Sequence, residues 1–172
     1  AIAGNLPTAP AIMGNVVVWK PASTSLLSNN LLMEIFMEAG FPNGVINFLP
    51  GSGELIGNIV LKDKRLAGIH FTGSTPVFSM FWKTISDNLH IYDNYPKLVG
   101  ETGGKDFIFV HPSADVEAVA TAMVRGAFEY QGQKCSAASR AYIPVSLWTS
   151  VRSLVLKMLK EIKMGDVEDF TN

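Results

Sequence analysis

The stretch FEYQGQKCSAASR, residues 128–140, holds Cys135, the only cysteine in the chain. A thiol close to a helix end and to a cation such as Lys134 has its thiolate favoured, and a thiolate is what nucleophilic catalysis requires. The alternative is a small residue of apolar habit with no chemical task. Glu101 stands in GETGGK, where a carboxylate among glycines has room to move. It can serve as a general base, and Cys135 would be its partner; by itself it reads as an ordinary surface glutamate.

Two glycine-bearing stretches can receive a nucleotide. Gly73 and Ser74 fall between the strand-like LAGIHF and a helix-like segment. Backbone N–H groups at a helix N-terminus carry partial positive charge, and a glycine there admits a pyrophosphate. TGST also reads simply as a good helix cap. Gly51, Gly53 and Gly57 in PGSGELIG can admit a flat ring against the backbone, or merely make a turn. No GxGxxG follows any strand, so the common dinucleotide fingerprint is missing. His70, His90 and His111 show no metal-ligand spacing, and no metal site is expected.

These residues need elements to place them. The β-branched NVVVWK (15–20), GVINFLP and LAGIHF read as strands, with Ser25 to Ala39, GELIGNIVLK and STPVFSMFWKTISDNL as the intervening helices. Ser74 is the expected N-cap of the last of these, with Pro76 in its first turn. KLVGE, DFIFVH, a helix with Asp115 near its start, the YQGQKCSAAS loop, RAYIP and a helix from about Ser146 follow. Strand and helix alternating in this way predict an α/β fold with parallel strands between helical layers. A boundary is expected near Gly103 and Gly104, giving domains 1–103 and 104–172.

Bulk properties narrow the partners. With 172 residues the chain can bury a real core. Its 14 Lys+Arg balance 15 Asp+Glu, and no basic run can follow a phosphate backbone, so neither nucleic acid nor an anionic membrane is expected. No apolar run approaches the ~20 residues of a membrane span. One cysteine excludes an internal disulfide and fits a reducing, intracellular compartment. No targeting peptide is visible in AIAGNLPTAP, and both ends read as cuts in a longer chain.

Taken in order, GNVVVWKPAS, GVINFLPGSGELIG, FTGST, GETGGK and GQKCSAASR resemble the aldehyde dehydrogenase superfamily across essentially the whole chain. The last two are most similar to its members that oxidise L-glutamate γ-semialdehyde. The resemblance implies part of a Rossmann-type cofactor domain followed by the first part of the catalytic α/β domain. It implies NAD-dependent oxidation of glutamate γ-semialdehyde to glutamate in proline catabolism, with Cys135 as nucleophile and Glu101 as the base that activates the deacylating water. By the same resemblance Lys20 meets the adenosine ribose, Ser23 is a cofactor-binding position and Gly53 falls beside the adenine. The resemblance also implies that Gly73 and Ser74 meet the pyrophosphate, that Thr75, Pro76 and Val77 bind the cofactor, and that Ser136 contacts the substrate. Ser23 replaces a glutamate common in the family, which removes a carboxylate that repels a 2′-phosphate. The family's oxyanion-binding asparagine would precede Ala1 and its second ribose-binding glutamate would follow Asn172, so the chain alone is expected to be inactive. A homo-oligomer is expected of the full-length protein, in the cytoplasm of a bacterium or the mitochondrial matrix of a eukaryote.

Overall fold

β-branched and aromatic residues recur in most strands of this protein, and each strand is short. The structure is a computed structural model that describes residues 2–171. The chain folds as two units, one running to Thr102 and the other starting at Gly103. The first contains helix α1 (Ile2–Ile12), strand β1 (Val17–Trp19), α2 (Leu26–Glu38), β2 (Ile46–Phe48), α3 (Gly53–Val60), β3 (Gly68–Thr72), α4 (Thr75–Asp87) and β4 (Lys97–Glu101). The second contains β5 (Phe107–Phe109), α5 (Val116–Phe128), β6 (Arg140–Tyr142) and α6 (Val145–Glu161).

The strands pair in twos, and every pair is parallel: Val17 faces Ile46, Gly68 faces Lys97, and Phe107 faces Arg140. Parallel neighbours need a crossover, and a helix supplies each one. Helix α2 stops where the sequence provides Gly40. That residue adopts φ 87°, Phe41 N–H donates back to the Phe36 carbonyl and Gly40 N–H to that of Met37, a Schellman ending. In the first unit Trp19 and Ile46 are buried, and Trp19 meets Phe48 edge-on with ring centroids 5.0 Å apart. In the second, Val110, Val119 and Val151 form the core with Ile108, Met123, Leu147 and Val155 packed against it.

Helix α1 was not anticipated, because Pro7 and Pro10 lie inside it and proline disfavours a helix interior. Packing overrides that preference: Pro7 is fully buried, and the helix lies against β1, β2 and β3. Thr8 Oγ1 donates to the Gly4 carbonyl at 2.7 Å.

Candidate active site

The candidate cofactor residues all lie just past the carboxyl ends of parallel strands, the edge at which open α/β sheets bind ligands. Lys20 follows β1, half-buried, and the exposed Ser23 opens a single 3₁₀ turn over Ser23–Ser25. Gly53 begins α3 beyond β2, with open space where a side chain would point. An open hollow between these two strand ends is lined by Ser23, Thr24, Leu26, Leu27, Asn30, Phe48 and Pro50.

Gly73 and Ser74 connect β3 to α4. Ser74 occupies the N-cap position with extended backbone (φ −77°, ψ 144°), but its side chain makes no capping bond. By contrast Ser52 accepts from Leu55 N–H at 3.3 Å, and Asp115 from Ala118 N–H at 2.7 Å. The first turn of α4, with Thr75, Pro76 and Val77, is exposed. A side chain on Gly73 would lie 2.5 Å from the Phe71 ring, so glycine keeps this corner narrow. Glu101 is brought to the same corner: it ends β4 opposite Thr72, and Gly73 N–H donates to its carbonyl at 3.1 Å.

Cys135 is exposed, as is Ser136; the two form the centre of a turn closed by Ala137 N–H donating to the Lys134 carbonyl at 3.1 Å. The run before the turn is strained. Tyr130 (φ 53°, ψ 36°) and Gln131 (φ 59°, ψ 26°) are left-handed, and Gly132 follows at φ 68°. Such conformations cost about 1–3 kcal/mol each outside glycine and persist only where surroundings impose them. The anchors after the turn are Ala138 N–H on the Gly126 carbonyl at 2.8 Å, and Ser139 N–H and Oγ on the Asp106 carbonyl at 3.0 and 3.1 Å. Asp106 thus contributes its backbone carbonyl to this turn.

Two expectations about the thiol's surroundings need correction. The helix preceding Cys135 ends at Phe128, a carboxyl-terminal end, whose partial charge is negative. The Lys134 ammonium pairs with Glu129 at 3.2 Å, so its charge is engaged there. Lys134 and Arg125 together hold the Glu129 carboxyl below its usual range, with the Lys134 hydrogen bond the largest cause.

One residue with an evident role at this turn escaped the sequence reading. A Cβ on Gly104 would overlap the Cys135 carbonyl, 2.7 Å from its carbon, and lie 2.6 Å from an Asp106 carboxylate oxygen. Only glycine lets these two backbones meet, and the doublet Gly103–Gly104 was the available signal.

Residues 3–172 match the aldehyde dehydrogenase family. The chain belongs to that family. It is 55% identical to the mitochondrial delta-1-pyrroline-5-carboxylate dehydrogenase of Dictyostelium discoideum, over 100% of this chain and 31% of that protein. It is 50% identical to the human mitochondrial enzyme of the same name, over 99% of the chain and 30% of that protein. A solved structure of delta-pyrroline-5-carboxylate dehydrogenase from Mycobacterium tuberculosis bound with NAD superposes with TM-score 0.95 at 51% identity, over 99% of this chain and 32% of that one. The chain thus spans about a third of the length of the relatives it matches, and its α/β architecture is that of aldehyde dehydrogenase structures. Among the described residues, no helix is long and apolar enough to cross a membrane, and no group of three or more His, Cys, Asp or Glu side chains is placed to hold a metal.

Proposed function

We propose that this chain carries the cofactor corner and the nucleophile of an enzyme that oxidises L-glutamate γ-semialdehyde to L-glutamate in proline catabolism. The observation that carries the reading is identity near one half, along the entire chain, to proteins named for the cyclic form of that aldehyde.

The residues fit NAD. Strand carboxyl ends, open space at Gly53 and a helix N-terminus whose cap side chain is uncommitted are what an adenine, a ribose and a pyrophosphate need. Lys20 and Ser23 would hold the ribose, Gly53 would lie beside the adenine, and Gly73, Ser74, Thr75, Pro76 and Val77 would seat the pyrophosphate. Bound NAD supplies a hydride acceptor. Cys135 attacks the aldehyde carbon as thiolate, and its backbone N–H steadies the oxyanion. Once the carbon is oxidised to the thioester level, Glu101 takes a proton from water, whose oxygen displaces the Cys135 sulfur and releases the acid. Ser136, next to the nucleophile, donates to the far end of the substrate. The full-length enzyme works as a homo-oligomer, in the mitochondrial matrix of a eukaryote or the cytoplasm of a bacterium.

Rapid mixing of the full-length protein tests the two roles. Cys135→Ser is expected to abolish turnover while keeping NAD binding. Glu101→Gln is expected to give a burst of NADH followed by slow steady-state turnover, because only the second half-reaction uses a base on water. Dehydrogenase activity retained in Cys135→Ser, or burst and steady state lost equally in Glu101→Gln, would refute the assignment.

A further inference from the structure

Pro10 has no N–H to offer the carbonyl of Leu6, four residues earlier in α1. In a helix lying against three strands, an acceptor deprived of its donor costs free energy. The missing donor comes from another element. His70, at the centre of β3, places Nδ1 3.1 Å from the Leu6 carbonyl oxygen across 64 residues of sequence. A carbonyl only accepts, so Nδ1 carries the hydrogen, in the neutral and the charged imidazole alike.

Helix α1 touches both strand pairs of the first unit: β1 and β2 on one side, and β3 of the β3–β4 pair. The candidate adenosine residues Lys20, Ser23 and Gly53 follow β1 and β2, whereas Gly73 and Ser74 follow β3, three and four residues beyond His70. We propose that His70 is a positioning residue: it fastens the proline-interrupted α1 to β3 by replacing the donor that Pro10 removes, and so aligns the two strand pairs that share the cofactor. The fastening stands on the geometry alone, and the alignment of a cofactor rests on the function proposed above.

The test is a double-mutant cycle in the full-length protein, read by urea unfolding and by titration with NAD. His70→Leu is expected to lower the folding equilibrium constant about tenfold. On a Pro10→Ala background the same change should cost less than about threefold, because the alanine N–H now reaches Leu6. His70→Asn, which offers an amide N–H close to the Nδ1 position, should restore most of the loss. NAD affinity should weaken about three- to tenfold in His70→Leu, with kcat at saturating NAD unchanged, and should recover in the double variant. Equal loss on both backgrounds would overturn the fastening. A destabilised His70→Leu protein with unaltered NAD affinity would overturn the alignment. A parent protein that binds no NAD at all would refute the functional reading instead, and the urea cycle would still decide the fastening.

Discussion

Replacing Gly104 by alanine puts a methyl group where the chain backbone already is. That carbon would lie 2.7 Å from the Cys135 carbonyl carbon, and the carbonyl oxygen would be nearer still. Favourable carbon–carbon contact begins at about 3.5 Å, so the Cys135 carbonyl carbon alone must retreat by about 0.8 Å, and the nearer oxygen must retreat further. It has little freedom to do so, because Ala138 and Ser139 are tied to Gly126 and Asp106 immediately after the turn. Overpacking of this kind costs about 1–3 kcal/mol, and displacement of a reacting atom by about 1 Å costs on the order of 10²-fold in rate. Gly104→Ala in the full-length protein should therefore lose about 10²-fold in kcat/KM and change the rate at which iodoacetamide alkylates Cys135. Gly103→Ala is the matched control, since nothing lies within 4 Å of its Cβ position. If the two variants are indistinguishable in both assays, the claim that Gly104 sets the Cys135 backbone is wrong.

Ser136→Ala should lower kcat/KM on the order of ten- to a hundredfold with glutamate γ-semialdehyde but little with propanal, which has no carboxylate to anchor; equal loss with both would mean that Ser136 shapes the turn. Lys134→Gln should raise the Glu129 carboxyl toward its usual range, followed by NMR titration of the side chain. The sign is that of a depressed carboxylate: its contribution to stability is present above the ordinary glutamate pKa and is lost as pH falls through the lowered one. The variant should accordingly lose part of the acid-side dependence of unfolding, and an unmoved Glu129 titration would refute the pairing.

The strand–helix alternation was legible because β1, β2, β3 and β5 carry β-branched or aromatic residues and some of the later helices carry their own punctuation, Gly40 for α2 and Asp115 for α5. Helix α1 was not, because its two prolines are excused by residues far along the chain: the strands that bury Pro7 and the imidazole that reaches Leu6. The turn chemistry around Cys135 divides in the same way. A lone cysteine among small residues could be picked out, but the left-handed Tyr130 and Gln131 have no local signature, since neither residue type calls for that conformation. Lys134 misled, because a cation beside a thiol in sequence is free to turn toward Glu129. Gly104 is required by a carbonyl 31 positions later, which no local pattern reveals.

Among the described residues the three parallel ladders never interleave. Val17 and Ile46 are 29 residues apart, as are Gly68 and Lys97, and Phe107 and Arg140 are 33 apart; each pair closes before the next opens. A chain threading out of a ribosome therefore completes one closure before starting another, yet none can begin as a hairpin, which makes each closure a slow, non-local event. A break between Glu101 and Phe107 would leave all three ladders with both partners on one piece. A break within α2, α4 or α5 would part a strand from its mate, so the places where this polypeptide tolerates being split and rejoined are set by its ladders.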